Sequence, residues 1–367
     1  MSRYSTKVSV LVLTFLLLFS TLALAAEESP DYFTVVDQKG NTVFKTEMKV
    51  HKGDWYIGPD NKKYTVVEVK EDKAVAEYDR EVDLISEDSK LPSALSELST
   101  SEAPLAKGKD KKTVALYHTH SSESFVPTSG THSEKGLGDI HNVVNKLATE
   151  LEQKGVKVIN AGESNGPHDG GAYARSRRTA KKLAQKSPDA IFDVHRDGVP
   201  DKSQYLTKVN GKQVAKVRLV VGRQNPGMKA NDKFAKQLKY VTDKKYPGLV
   251  KGIYYAKGSY NQDLSPRATL LEFGTHTITE DDAKESTVFF SNAVTSLISA
   301  QAQGAENVTN EQNSGAFRSL LIILGVVIIG MLGYLFANEG SLNGVINRIK
   351  EFFGREFAGI SDGNDEE

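Results

Sequence analysis

The segment from Val114 to Phe125, VALYHTHSSESF, decides the fold, because an apolar run typical of a buried strand leads directly into two histidines and a glutamate. A second apolar run, Ala190 to Asp197 (AIFDVHRD), also leads into a histidine, and a third, Thr269 to Gly274 (TLLEFG), reaches Glu272. In open α/β sheets, ligands bind beyond the carboxyl ends of the strands. Three strands that bring His, His and Glu to one edge therefore predict a zinc hydrolase centre.

The whole segment 113–300 alternates strand and helix patterns. Apolar residues repeat at helical spacing from Asn142 to Lys154, and Gly155 ends that helix before the apolar run Val156 to Ile159. Such alternation is typical of a mainly parallel sheet. We therefore predict an α/β fold with a doubly wound, mainly parallel sheet, closed by a long helix from Glu280 to Ala300.

The composition limits the partners and ligands that the chain can have. Lys and Arg number 47, and so do Asp and Glu, so the chain of 367 residues carries no net charge. Nucleic-acid binding relies on positive charge, and we expect no nucleic-acid partner. The chain contains no cysteine, which excludes disulfides and thiolate ligands. Any metal ion must therefore be held by His, Asp or Glu.

This donor set favours zinc. Bound by His and carboxylate ligands, Zn²⁺ lowers the pKa of its water to about 7 and polarises a carbonyl group. A further carboxylate can accept the proton of that water and pass it to the leaving amine. Glu272 is the candidate for this role. The residues together predict hydrolysis of an amide bond.

Two regions precede the catalytic segment. Residues 31–85 contain short alternating runs such as Tyr64 to Val69 and Ala74 to Tyr78, separated by turn residues such as Gly58 to Asn61. This pattern predicts a small β domain. Residues 86–112 are rich in Ser, Lys, Glu, Pro and Ala, as is typical of a linker. We expect the catalytic domain to cover 113–300.

The two ends of the chain predict export and a membrane anchor. Arg3 and Lys7 precede an apolar stretch, and Ala23-Leu24-Ala25 offers a cleavage site, so residues 1–25 are predicted to be a signal peptide, with an uncleaved anchor as the alternative. We expect a linker at 301–317, a transmembrane helix at 318–338 and an amphipathic cytoplasmic tail at 339–367. A buried core helix is the alternative to the span. We therefore predict a single-pass cell-membrane protein whose catalytic domain faces the extracytoplasmic side.

Four segments carry a family resemblance. They are YHTHSSESFVP from Tyr117, YARSRRT from Tyr173, DVHRD from Asp193 and YNQDLSPRATLLEFGTHTIT from Tyr260. In sequence and order they resemble the signature segments of the stage II sporulation protein P family, and with the intervening helix they cover nearly all of 113–298. That family is similar in turn to zinc-dependent N-acetylmuramoyl-L-alanine amidases, whose doubly wound fold binds zinc through His, Glu and His.

The resemblance implies a peptidoglycan hydrolase that cuts between muramic acid and the stem peptide and also cuts peptide cross-links. In sporulating bacteria such an enzyme would thin the septal wall during engulfment, with a lytic transglycosylase and a membrane anchor complex as partners. This chain departs from the family in its tethering. The best-known members have an N-terminal span, whereas the predicted span of this chain is C-terminal.

The resemblance also implies the site residues, position by position. The first histidine ligand corresponds to His118 or His120, the second to His195, and the catalytic glutamate to Glu272. We assign His118 as the metal ligand because it follows the strand directly. His120 then has a catalytic or substrate-contacting role, and the reverse assignment stays open.

The carboxylate ligand has three candidates. Glu123 lies within the first signature segment, and we assign it as the ligand. The related amidases place this glutamate at the start of the first helix, where this chain offers Glu134 and Asp139. Two other functions remain open alongside the amidase: an inactive wall-binding scaffold of the same fold, and a metal-dependent peptidase or deacetylase. The presence of every candidate ligand counts against the scaffold.

Overall fold

The computed structural model describes residues 32–85, 112–348 and 350, without the side chains of 301–323 and 325–329. The predicted signal peptide 1–25, nearly all of the linker 86–112 and the tail beyond Lys350 lie outside the described residues. The chain divides into two compact units at Gln301. The unit up to Gln301 contains every residue assigned above to the catalytic site.

Eleven of the strands in the described part of the chain form one sheet, in the order β2-β1-β5-β4-β3-β12-β11-β13-β8-β6-β7, and β9 and β10 form a separate hairpin. The strands are β1 Phe33–Val36, β2 Thr42–Thr46, β3 Trp55–Ile57, β4 Lys62–Lys70, β5 Lys73–Glu81, β6 Thr113–Tyr117, β7 Lys157–Asn160, β8 Ala190–Asp197, β9 Leu206–Val209, β10 Lys212–Ala215, β11 Val217–Gly222, β12 Val250–Ala256 and β13 Ala268–Thr275.

The helices alternate with the strands of the catalytic segment. They are α1 Val126–Ser129, α2 Ile140–Gln153, α3 Ala172–Ala184, α4 Met228–Lys245 and α5 Glu280–Glu339, with 3₁₀ turns at Lys202–Gln204 and Gln262–Leu264. In α2 the buried residues Val143, Leu147 and Leu151 recur at helical spacing, which gives the helix one apolar face. Gly155 follows with a φ of 80°, a conformation that glycine adopts without strain.

The predicted α/β fold is confirmed, and the sheet of the catalytic segment is mainly parallel. Strands β7, β6, β8 and β13 are neighbours that run in the same direction. Strand β11 pairs antiparallel with β13 and parallel with β12. The carboxyl ends of β6, β8 and β13 therefore lie at one edge of the sheet, where the sequence predicts the site.

The two faces of this sheet are covered differently. Helices α2, α4 and the first turns of α5 pack on one face, against residues such as Leu116, Phe192 and Leu271. On the other face, α3 covers Ala115 and Ile191. The rest of that face is covered by β1 to β5, whose apolar residues pack against Val220, Tyr254 and Leu270. We call strands β1 to β5 with their loops, residues 32–85, the N-terminal layer.

The N-terminal layer is continuous with the catalytic sheet. Residues 31–85 were predicted to form a small β domain, but the described part of this segment has no sheet of its own. Strand β3 pairs antiparallel with β12, with Tyr56 opposite Tyr254. Gly252 allows this close approach, because a Cβ at that position would lie 2.5 Å from the carbonyl oxygen of Ile57. The layer then curls back over the sheet, so that the ring of Phe44 lies 5.0 Å from that of Tyr254. Pairing with β3 covers an edge of the sheet that would otherwise be open.

Residues 318–338, for which the sequence predicts a membrane span, belong to α5. Within the part of the chain that the structure describes, no helix has the length and apolar character needed to cross a membrane. The predicted span is therefore not confirmed, and many of its side chains lie outside the described residues.

We predict that Phe44→Ala destabilises the protein by about 3 to 5 kcal/mol, because the ring is 1 % exposed and joins the N-terminal layer to the sheet through Tyr56 and Tyr254. Denaturant unfolding of the full chain measures this change. Tyr78→Ala is the control, since that ring is 54 % exposed, and should cost less than about 1 kcal/mol. An equal loss of unfolding free energy in the two variants would contradict the packing of Phe44 between the layer and the sheet.

Candidate metal centre

Three side chains converge at the carboxyl edge of the sheet: those of His120, Glu123 and His195. The Nδ1 atom of His120 and the Nδ1 atom of His195 each lie 3.3 Å from Oε1 of Glu123. One donor atom from each residue lies within 4.8 Å of the other two. Two imidazole nitrogens and one carboxylate oxygen make a donor set that suits zinc.

The backbone of β8 fixes Glu123. After β6 ends at Tyr117, the chain turns, and the N–H of Glu123 donates to the carbonyl of His120 at 3.3 Å. The second carboxylate oxygen, Oε2, accepts a hydrogen bond of 2.9 Å from the backbone N–H of Arg196. Oε1 is thereby left facing both histidines. Strand β8 therefore supplies His195 and also orients the carboxylate of Glu123 between His195 and His120.

Asp193 supports the other side of His195. Its Oδ1 lies 2.9 Å from Nε2 of that ring. Asp193 is held in turn by Thr119, whose N–H donates to Oδ1 at 2.8 Å and whose hydroxyl donates to Oδ2 at 2.6 Å. Carboxylates in this position commonly orient metal-binding histidines. His195 can therefore present Nδ1 to an ion while Nε2 faces Asp193.

The charges around His195 favour a cation at this point. Burial alone lowers the pKa of His195, but the charges of Asp193 and Glu123 outweigh burial and raise the pKa well above its ordinary value. Burial likewise tends to raise the pKa of Glu123, yet His195 and the hydrogen bond from His120 hold it well below the usual range. Positive charge is thus stabilised between the carboxyl groups of Asp193 and Glu123, as a metal cation in place of the proton would require.

His118, assigned from the sequence as the ligand, lies elsewhere. Its buried ring turns toward α2, where its Nε2 atom lies 3.3 Å from Nδ1 of His141. Strand β6 ends at Tyr117, so strand alternation does not set the direction of the two histidines that follow. The structure therefore places His120, not His118, beside Glu123 and His195. Of the three assigned histidines, His120 and His195 lie in the cluster and His118 lies outside it.

Of the three carboxylate candidates, Glu123 is the one in the cluster. Asp139 instead accepts hydrogen bonds from the backbone N–H of Phe125, at 2.9 Å, and from the Ser129 hydroxyl. These contacts hold the loop between β6 and α2. Glu134 lies in the same loop, with its N–H bonded to the carbonyl of Ser122 at 2.8 Å, and is outside the metal cluster.

Glu272 lies next to the metal cluster, as expected. On β13 it is the register partner of His195, so the two side chains project from neighbouring strands at the same level. Glu272 is 3 % exposed and pairs with the Nε atom of Arg218, and the hydroxyl of Tyr205 lies 3.4 Å from its Oε2. Burial raises the pKa of Glu272, and the charge of Arg218 offsets part of this rise. A carboxylate with a raised pKa is suited to proton transfer near neutral pH.

Glu123, Glu272 and both cluster histidines line one cavity of about 260 Å³. His168 also lines this cavity and stacks on His120, with 3.8 Å between the ring centroids. Glu47 of the N-terminal layer forms part of the wall and lies 3.2 Å from Nη1 of Arg196. The N-terminal layer therefore contributes to the cavity itself.

Two other charged residues of the site were not found from the sequence. Arg218 lies within the apolar run VRLVVG of β11, and a charge inside a buried strand is a signal that could have revealed it. Glu47 gives no such signal, because it follows a short edge strand and reaches the cavity only through the curl of the N-terminal layer.

A sequence model of the family described as stage II sporulation protein P matches residues 35–295, which is more than half of the chain. The chain belongs to this family. The match includes most of the N-terminal layer as well as the catalytic segment, in agreement with their continuous sheet. The family resemblance predicted from the four segments is thereby confirmed.

A curated relative is stage II sporulation protein P of Bacillus subtilis (strain 168), which is 34 % identical to this chain over 185 residues. The match covers 45 % of this chain and 46 % of the relative, so it spans less than half of that protein.

Solved structures of amidases are also similar to part of the chain. N-acetylmuramoyl-L-alanine amidase AmiC2 of Nostoc punctiforme is 16 % identical, with a TM-score of 0.36, and the match covers 53 % of this chain and 99 % of AmiC2. The CwlD amidase of Clostridioides difficile, solved in complex with the GerS lipoprotein, is 18 % identical, with a TM-score of 0.33 and coverages of 52 % and 98 %.

We predict that His120→Ala weakens zinc binding by more than about 100-fold, because it removes one of three donors. His118→Ala should retain zinc, since His118 lies outside the cluster. The zinc content per chain and a competition titration with a chelator measure the zinc affinity of each variant. A thermal melt of each variant controls for unfolding. Loss of zinc from folded His118→Ala, with retention in His120→Ala, would restore the assignment made from the sequence.

Proposed function

We propose that this protein is a zinc-dependent peptidoglycan hydrolase, an N-acetylmuramoyl-L-alanine amidase that also cleaves peptide cross-links. The observation that supports this most directly is the His120, Glu123 and His195 cluster, with Glu272 beside it in one cavity. Membership of the stage II sporulation protein P family agrees with this function. Both cleavages break an amide bond, so a single site can serve both.

His120, Glu123 and His195 would hold the zinc ion. Their donor atoms, the support of His195 by Asp193 and the stabilisation of positive charge at this point all fit Zn²⁺. When bound, zinc supplies a water of lowered pKa and polarises the carbonyl of the scissile amide.

Glu272 would carry the proton. The carboxylate would accept a proton from the attacking water and deliver it to the leaving nitrogen, a contribution of about 10² to 10⁴ in rate. Arg218 and Tyr205 restrict the orientation of this carboxylate. Burial of both strands that carry the site excludes bulk water, so these interactions act in a medium of low dielectric constant.

The outer part of the cavity favours an acidic substrate. Lys49 of the N-terminal layer and Lys257, which follows β12, both line the cavity and are exposed. Neither has an ion-pair partner among the described residues, whereas Glu47 and Glu272 are paired with arginines. Stem peptides of peptidoglycan carry carboxylate groups, which the two lysines would attract as the scissile amide enters.

The cellular role is part of the proposal. The enzyme would act on septal peptidoglycan during engulfment in sporulation, with a lytic transglycosylase and a membrane anchor complex as partners. It would be exported by the signal at 1–25 and held by the span at 318–338, with the catalytic unit on the extracytoplasmic side. The support for this setting is membership of the family and the sequence patterns at the two ends of the chain.

We predict that Glu272→Gln lowers kcat by at least about 10²-fold while zinc content is unchanged, because it removes the proton acceptor but no ligand. Purified full chain is incubated with peptidoglycan, and products are separated by mass spectrometry. The wild type should release stem peptides from glycan strands, and a chelator should stop this release. Activity of folded Glu272→Gln equal to wild type would contradict the role of Glu272. A folded, zinc-free and inactive wild type would favour the wall-binding scaffold.

The double change Lys49→Ala and Lys257→Ala should raise KM about fivefold and leave kcat unchanged, since two ion pairs at the cavity entrance each contribute up to about 1 kcal/mol. The matched control is Lys39→Ala with Lys73→Ala, two exposed lysines of the same layer. The effect should vanish on a substrate whose stem carboxylates are amidated. An equal rise in KM for both double variants would show that the lysines have no specific role.

A further inference from the structure

Arg218 is the largest fully buried side chain in the described part of the protein, and all three of its guanidinium nitrogens have partners. Nε pairs with Glu272, and Nη2 lies 2.9 Å from Oδ2 of Asp197. Nη2 also donates to the hydroxyl of Thr46 at 2.7 Å, and Nη1 donates to the carbonyl of Lys45 at 3.0 Å. The guanidinium therefore connects the catalytic carboxylate to strand β2.

Burial of this guanidinium is costly unless its charge and hydrogen-bonding groups are satisfied. Removing an arginine from water costs several kcal/mol, which only well-oriented partners offset. Here Asp197 and Glu272 supply opposite charge, and the hydroxyl of Tyr205 bridges the same two carboxylates, at 2.8 Å from Asp197. Arg218 and Glu272 are also register partners on neighbouring strands. A rigid, fully satisfied arginine of this kind defines the position of the groups that it contacts.

Of the four residues described above that contact the guanidinium of Arg218 directly, two come from the N-terminal layer. Lys45 and Thr46 are the last two residues of β2, and the layer reaches Arg218 because it curls back over β11. Thr46 is buried and does not itself line the cavity, although Glu47 and Met48, which follow it, do. Its hydroxyl also accepts a hydrogen bond from the N–H of Met48 at 3.0 Å, which fixes the side chain.

We propose that Arg218 is a positioning residue for Glu272, and that the end of β2 holds Arg218 in the orientation that catalysis needs. This inference rests on the proposed function. It gives the N-terminal layer a part in the reaction in addition to its part in folding. The arrangement acts through geometry: Thr46 and Lys45 fix two nitrogens of the guanidinium, and the third then fixes Glu272 beside His195.

The test is Thr46→Val in the full chain, a change that keeps the shape of the side chain and the preference for a strand but removes the hydroxyl. We expect kcat to fall about tenfold, because a hydrogen bond to a charged group is lost, with KM and zinc content unchanged. Thr46→Ser retains the hydroxyl and should stay within about twofold of wild type. The matched control is Thr42→Val, at an exposed position of the same strand, which should change nothing.

Each other outcome decides against the inference. A folded Thr46→Val with wild-type kcat shows that β2 does not position Glu272. A rise in KM alone shows a role in substrate binding, and loss of zinc shows a role in the metal centre. A fall in kcat that Thr46→Ser shares, at equal thermal stability, shows that the hydroxyl is not the group responsible. A wild-type chain that releases no stem peptides overturns the proposed function and this inference with it.

Discussion

The rest of the site depends on a row of charged side chains that crosses three neighbouring strands: His195 on β8, Glu272 on β13 and Arg218 on β11. All three are buried, and an unpaired charge in such a place would cost several kcal/mol. Neighbouring strand residues supply part of the pairing, with Asp193 beside His195 and Asp197 beside Arg218. Arg218 has further hydrogen-bonding groups, and the N-terminal layer, which covers that face of the sheet, supplies their partners.

In the metal centre, too, buried polar side chains are held by partners of opposite charge or by hydrogen bonds. Two of the three donors, His195 and Glu123, have a second contact that sets their direction. Asp193 and Thr119 act on His195, and the backbone of Arg196 acts on Glu123. Because β8 carries His195, Asp193 and Arg196, one strand determines both the ligand and the orientation of its neighbour. All eight residues of β8 are buried, because the strand lies between β13 and β6 and both faces of the sheet are covered.

Much of this arrangement could be predicted from the sequence, because it depends on local patterns. The apolar strands before His195 and Glu272 are continuous runs, and their direction places both residues at one edge. The choice between His118 and His120 could not be made, since the chain leaves β6 at Tyr117 and strand alternation ceases to apply. The pairing of β3 with β12 is equally invisible to local patterns, because it joins residues far apart in the chain. The hydrogen bond between Thr46 and Arg218 likewise joins residues far apart in the chain.

The pairing of β3 with β12 has a consequence for the order of folding. The hydroxyl of Tyr254 donates to Asp54, across a separation of 200 residues. Contacts of such long range form slowly, because a large loop must close before they gain any free energy. The N-terminal layer precedes the catalytic segment in the chain, yet its edge finds a partner only when β12 is available. Folding of the sheet, and with it the assembly of a competent active site, must therefore wait for nearly the whole catalytic segment.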